Sequence, residues 1–202
     1  MNHYEKALEK DGATVVAGVD EVGRGPLAGP VVAACVVLPP GYGFDEIKDS
    51  KQLTAKKRMA IAEIIKKEAV AYAIAVISVA EIDHLNIYQA SKKAMTKAVY
   101  QVAQKVKIDH VLVDAVKLDL PFPQTALVKG DQKSITIAAA AIIAKVYRDQ
   151  LMMTIDVAHP EYEFKKHKGY ATKQHLALLK KHGALVHHRK SFKPVKEVLD
   201  GN

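Results

Sequence analysis

The apolar positions fall into short β-branched runs separated by longer amphipathic stretches. Thr14 to Val19 and Val31 to Leu38 are short apolar runs that predict buried strands. Ala69 to Ile77 alternates as a third strand, and Val111 to Val113 and Thr125 to Lys129 are a fourth and fifth. Thr54 is a plausible N-cap for a helix reaching about Lys67, with Met59, Ile61, Ile64 and Ile65 available for burial. Ser78 and Glu81 form a capping-box pattern that opens a helical stretch to about Val106, interrupted near Asn86-Ile87. Ser134 to about His159 is strongly helical and stops before Pro160, and its alanine face permits close packing on a sheet. Met1 to Gly12 reads as a helix or arm without its own core. Near the other end, Thr172 caps a short helix that stops at Gly183, and Pro194 opens a last one. Three strands in meander order, then helix, strand, helix and strand, predict an α/β fold. It is a mixed five-stranded sheet with helices packed on it.

The same pattern places carboxylates where apolar strands stop. The first strand runs into Asp20 and Glu21, followed by the glycine- and proline-rich bend Gly23-Arg24-Gly25-Pro26. The fourth strand ends in Asp114, and the fifth delivers Asp131 after Gly130. A buried strand that ends in charge is costly unless the charge is paired or binds metal. Ligands gather beyond the carboxyl ends of parallel strands, so three strands emptying acids onto one edge predict an all-oxygen site. Such a site suits Mg²⁺ or Mn²⁺. Neighbouring residues on a strand face opposite sides, so Asp20 and Glu21 converge only if the bend at Gly23 has already begun.

Composition narrows the class. The 202 residues are 49% hydrophobic and carry a formal charge of +8. No apolar run is long enough to span a bilayer, and Met1 to Lys10 is too polar for a secretory signal. Cys35 is the only cysteine, so an internal disulfide and a cysteine zinc site are both excluded. A cytoplasmic, monomeric protein without membrane contact is expected. The charge is concentrated: from Phe164 to Lys196 there is no Asp or Glu, while lysines, histidines and Arg189 alternate with Tyr170 and Phe192. Cations interleaved with aromatic groups predict contact with nucleic acid. This divides the chain into a catalytic domain over 1–163 and a basic helical segment over 164–202, packed on the same domain and binding substrate.

Several blocks together carry a resemblance. They are Asp20 to Pro30, Asp49-Ser50-Lys51-Gln52-Leu53, Val113-Asp114, Lys129-Gly130-Asp131, Ala144 to Asp149, His167 to Thr172 and His188 to Phe192. In this order they resemble the type 2 ribonucleases H, the bacterial ribonuclease HII family, nearly end to end. The resemblance implies the ribonuclease H-like fold. It also implies an endonuclease that cuts the RNA strand of RNA–DNA hybrids and cuts at single ribonucleotides in duplex DNA. It places the metal ligands on Asp20, Glu21, Asp114 and Asp131, and the family's Gly-Arg-Gly element on Gly23, Arg24 and Gly25. Two departures stand out: Ala115 where glycine is common, and Ala141 where serine is common.

Two divalent ions ~4 Å apart would activate the attacking water and stabilise the leaving 3′-oxygen. The 2′-hydroxyl distinguishes RNA from DNA, so backbone groups at Gly23 to Gly25 and the Tyr170 ring are the expected sensors. Lys51, Lys168 and Arg189 are expected phosphate contacts, and Arg148 with Asp149 a supporting pair. The histidines show no metal spacing. Competing readings are another nuclease of the same fold and a non-catalytic nucleic-acid-binding protein.

Overall fold

The computed structural model describes residues 1–43, 47 and 54–201. The elements are α1 (His3–Lys10), β1 (Val16–Val22), β2 (Val31–Val37), α2 (Ala55–Glu68), β3 (Ala71–Ile77), α3 (Val79–Leu85) and α4 (Ile87–Ala103), then β4 (His110–Asp114), β5 (Gln124–Leu127), α5 (Gly130–Lys133), α6 (Ile135–Ala158), α7 (Phe164–His167), α8 (Lys173–His182) and α9 (Lys193–Asp200). The strands form one sheet in the order β3-β2-β1-β4-β5. β1, β2 and β3 pair antiparallel, whereas β4 joins β1, and β5 joins β4, in parallel. The mixed five-stranded sheet is therefore as expected.

Helix α2 falls between β2 and β3, where the Thr54 cap places it, so the order of three strands followed by helix, strand, helix and strand does not hold; among the described residues no helix lies between β4 and β5. Residues 115–123 cross over as a loop instead. Pro121 and Pro123 disfavour a helix there. The Gln124 side chain clamps the loop, donating to the Leu118 carbonyl and accepting from the Leu118 N–H, both at 2.9 Å.

Local signals act where the pattern placed them. The Thr54 hydroxyl accepts from the Lys57 N–H, and Ser78 and Glu81 close a reciprocal capping box. Asn86 has φ 71° and its side chain accepts from the Gln89 N–H, so it ends α3 and starts α4. On α2 only Ile61, Ala62 and Ile65 are buried, while Met59 and Ile64 face outward.

Both faces of the sheet are covered. Ala17, Val19, Cys35 and Val113 pack beneath α4, and Val32, Ala34 and Val36 beneath α2 and α6. β2 is buried along its whole length, as a strand covered on both faces must be. The alanine face of α6 comes closest at Gly18, where a Cβ would meet the Thr136 carbonyl carbon at 2.2 Å and the Ile137 nitrogen at 2.4 Å. Here α6 touches β1 backbone to backbone, two residues before Asp20. The amino-terminal helix is tied to the same point. Buried Glu5 accepts from the Ser134 hydroxyl (2.6 Å), the Thr136 N–H (3.1 Å) and the Thr136 hydroxyl (2.9 Å). The arm is thus pinned to the start of α6 rather than loose.

The basic carboxyl-terminal segment is half interior. His167, His175 and His188 are buried around the stacked rings of Tyr162 and Phe164, and Arg189 is buried beside residues 23–30. Phe192 lies beneath the Arg189 guanidinium, 5.1 Å away. Lys173, Lys180, Lys181, Lys190, Lys193 and Lys196 remain exposed. The alternation of cations with aromatics here thus marks a core as much as a surface.

Two outcomes follow. Gly18→Ala forces β1 and α6 apart and should lower stability by ~3 kcal/mol or more, measured by urea unfolding. Burial holds His175 down to about 4 and His188 down to about 3. An unfolded histidine takes a proton near pH 6.5, so stability falls as pH drops from there towards 4, by up to ~1.4 kcal/mol per pH unit for each ring. His188→Gln should shrink the loss of urea midpoint between pH 7 and pH 5.

Candidate active site

Strand β1 carries the first two acids. It does not stop at Val19, because β2 continues as its partner and the pairing runs on through Asp20 with Ala34, Glu21 with Ala33 and Val22 with Val32. On its other side the pairing with β4 ends at Val19 with Val113. The next residues are Asp20 and Asp114, so two adjacent parallel strands deliver acids at the same level. Although Asp20 and Glu21 alternate along a regular strand, both line one cleft that wraps the strand end. The Glu21 N–H donates to Asp20 Oδ1 at 2.7 Å.

Asp131 arrives differently from the expectation. β5 ends at Leu127, and Lys129, at φ 57°, turns the chain into the short helix α5 that carries Asp131. The turn is locked onto the neighbouring acid, since the Gly130 N–H donates to Asp114 Oδ1 at 2.6 Å. A Cβ at Gly130 would strike the Ile137 side chain at 2.7 Å and crowd Asp114 Oδ1 at 3.0 Å. Ala115, directly after Asp114, sits at φ 56° with its N–H donating to the Leu127 carbonyl. That left-handed turn favours glycine, which gives the physical reason a glycine suits this position.

The cleft has a volume of about 370 Å³ and is lined by Asp20, Glu21, Asp131, Arg58, Lys145 and Tyr170. Ala141 also lines it, without the hydroxyl a serine would offer. Burial pushes the Asp20 carboxyl well above the usual range, and Glu21, Asp114 and Asp131 push it further. Glu21 is pushed up to about 7, chiefly by burial, against the pull of the Arg24 guanidinium at 3.4 Å and with the push of Asp114. The charges of Glu21, Asp114 and Asp131 thus all reach Asp20, and that of Asp114 reaches Glu21 as well. Among the described residues no three His, Cys, Asp or Glu side chains already enclose a single point. The donor set nonetheless fits a hard divalent cation: all oxygen, crowded, and poorly solvated.

The glycine-rich bend is held from beneath. Arg189, expected at a phosphate, is buried and donates to the carbonyls of Gly23, Arg24, Gly29 and Pro30. It braces the bend and is not a surface cation. Arg148 is also buried and donates to the carbonyls of Ala28, Pro30 and Lys168, so it does not pair with Asp149, which instead holds Lys145 at 2.7 Å. Gly23 lies against Arg148 at φ 99°, where a Cβ would meet the guanidinium Nε at 2.3 Å. Arg24 and Gly25 are exposed, and the position a Gly25 Cβ would take is 3.9 Å from the Tyr170 ring. Tyr170 is exposed, with Lys145 Nζ 5.7 Å and Arg148 Cζ 5.9 Å from its ring centre. Lys168 has φ 51°, and its ammonium donates to the Lys165 carbonyl at 2.6 Å. Lys51 lies outside the described residues. Arg58 was not expected at the cleft, and nothing in its helical pattern marks it.

A mixed sheet with acids at the ends of β1 and β4, fed by a helix from beyond β5, defines the ribonuclease H-like class. The ribonuclease H2 of Pyrococcus horikoshii OT3 shares this fold with a TM-score of 0.77 at 24% identity, over 93% of this chain and 98% of that one. Bst-RNase HIII, solved in complex with Mn²⁺, shares it with a TM-score of 0.73 at 19% identity, over 96% of this chain and 72% of that one. The family model described as Ribonuclease HII matches residues 17–195. The Ribonuclease HII of Caldanaerobacter subterraneus subsp. tengcongensis is 50% identical over 202 residues, covering 100% of this chain and 82% of that protein. The chain belongs to the ribonuclease HII family, which are metal-dependent endoribonucleases of the ribonuclease H type.

Ala115→Gly relieves the left-handed strain beside Asp114 and should raise stability by about 0.5–1 kcal/mol, read from urea unfolding without metal.

Proposed function

We propose that this enzyme cuts the RNA strand of RNA–DNA hybrids and also cuts 5′ of single ribonucleotides embedded in duplex DNA. Removal of misplaced ribonucleotides and processing of RNA primers would be its uses. The observation that supports this most is the company the acids keep in the cleft. Asp20, Glu21 and Asp131 line the same cleft as the exposed Tyr170 ring, and Gly25 lies beside that ring.

Asp20, Glu21, Asp114 and Asp131 would hold the divalent ions, Mg²⁺ or Mn²⁺. When bound, such ions activate water and stabilise the leaving oxygen, giving 3′-hydroxyl and 5′-phosphate ends. The remaining roles fall to the chain's own groups. Arg24 restrains the Glu21 carboxylate, and the Gly130 N–H fixes one oxygen of Asp114. Arg58 and Lys145 line the cleft with positive charge suited to phosphate. The backbone around Gly25 is open to a ribose 2′-hydroxyl. The Tyr170 ring offers a flat surface for the adjoining deoxyribose, where an extra hydroxyl would clash. Lys168 reaches phosphate only by leaving the Lys165 carbonyl, and Lys51 remains a proposed phosphate contact.

Two duplexes, identical except for one ribonucleotide, separate the outcomes. With Mg²⁺ or Mn²⁺ only the ribonucleotide-containing duplex should be cut, and a chelator should abolish cutting while leaving binding. Asp20→Asn should slow cleavage by ~100-fold or more, since several kcal/mol of transition-state stabilisation go with the ions. Near-normal cleavage by that variant in Mg²⁺ would falsify the assignment. Tyr170→Ala should slow cutting at a single ribonucleotide by ~10-fold or more. An unchanged rate on that duplex would remove Tyr170 from recognition.

A further inference from the structure

Three buried histidines lie behind Tyr170, and their hydrogen bonds leave each ring only one neutral tautomer. The Leu185 N–H donates to His188 Nδ1 at 2.9 Å, so the His188 proton sits on Nε2. His188 Nε2 lies 3.1 Å from His175 Nε2, which must therefore accept. The proton of His175 is left on Nδ1, and it donates to the Tyr170 carbonyl at 2.9 Å. His167 is fixed separately: it accepts from the Gly169 N–H on Nδ1 at 3.2 Å and faces the Tyr162 carbonyl with Nε2 at 2.9 Å. It stacks on His175 with ring centres 4.3 Å apart. His175 and His188 are fully buried, and burial keeps both neutral at working pH.

The chain of donors has one direction. It starts on the backbone at Leu185, passes through two imidazoles and ends on the backbone of Tyr170. The same carbonyl also accepts from the Thr172 N–H at 2.8 Å, and the Tyr170 N–H donates to the His167 carbonyl at 2.9 Å. His188 is also bridged to Ala28, and the Leu27 N–H donates to the Gly169 carbonyl at 2.8 Å. Thus the histidine pair and the glycine-rich bend hold the Tyr170 backbone from two sides. The ring that projects from that backbone is exposed beside Gly25.

We propose that His175, oriented by His188, is a positioning residue that sets the Tyr170 ring at the cleft, and through it the preference for isolated ribonucleotides over continuous hybrid. The inference rests on the reading of Tyr170 given above. His175 touches neither substrate nor the acids; it acts through a single N–H to one carbonyl. Asparagine can present an amide N–H where His175 Nδ1 stands, whereas leucine fills similar space without a donor.

The test uses the full chain, with cleavage rates on a single-ribonucleotide duplex and on a continuous RNA–DNA hybrid for wild type, His175→Asn, His175→Leu and Tyr170→Ala. His175→Leu should lower the ratio of the two rates by ~10-fold, the loss expected from one well-placed hydrogen bond, and His175→Asn should restore most of it. Equal ratios for His175→Leu and wild type, or equal falls on both substrates, overturn the inference while leaving Tyr170 in place. An unchanged rate of Tyr170→Ala on the single-ribonucleotide duplex overturns the reading of Tyr170 and the inference with it, and a fall that leaves the ratio unchanged overturns the inference alone. Should the leucine variant fail to fold, nitrogen-15 spectra of the wild-type imidazoles decide. A proton on Nδ1 of His175 and on Nε2 of His188 supports the chain of donors, and a His175 protonated on Nε2 overturns it.

Discussion

The contact on which the site depends is the backbone-to-backbone approach of α6 to β1 at Gly18. No side chain fits between Gly18 and Thr136, so the helix start is fixed against the strand. Three consequences follow from that single contact. Asp20 lies two residues further along the strand. α5, with Asp131, is joined to α6 through Ser134, whose hydroxyl accepts from the Ile137 N–H and donates to Glu5. Ala141, Lys145 and Arg148 then fall along α6 on the side facing the cleft and the bend. One small residue thus couples the spacing of the acids to the placement of the groups that surround them.

The bend after β1 shows how buried charge is made tolerable. Arg148 and Arg189 are both buried, and burial, with the neighbouring Arg148 charge, lowers the Arg189 pKa to about 9. Neither guanidinium donates to a carboxylate; both donate to backbone carbonyls of residues 23–30. A tight loop of glycines and prolines turns many carbonyls inward, and a planar guanidinium can satisfy several at once. Removing either arginine would strand buried carbonyls as well as delete a charge. Arg24 and Gly25, on the outside of the bend, are exposed.

Much of this was legible in the chain. The strands, the capping box at Ser78 and the acids at strand ends are local or periodic signals, and β1, β2, β3 and β4 lie within a few residues of their expected places. What was not legible depended on tertiary contacts. The extension of β1 past Val19 depends on β2 as partner, and the lifting of Asp131 onto a helix depends on the Gly130 N–H meeting Asp114. Arg189 and the histidines carried the composition of a nucleic-acid surface. Their burial is decided by Tyr162, Phe164 and the bend they pack against, which no local pattern reveals.

This last point changes how the carboxyl-terminal segment should be regarded. Composition separates it from the sheet, yet its hydrogen bonds do not. The Gly29 N–H donates to the His187 carbonyl, the Arg189 N–H to the Leu27 carbonyl, and the Leu27 N–H to the Gly169 carbonyl, each at 2.8 Å. A bend rich in glycine has high conformational entropy when free, so fixing it demands many partners. Those partners come from residues 164–202 and from Arg148 on α6. The acids are carried by the sheet and α5, but the bend that follows β1 takes its shape from the far end of the chain. The cleft is therefore lined both by the sheet's acids and by Tyr170 of the carboxyl-terminal segment.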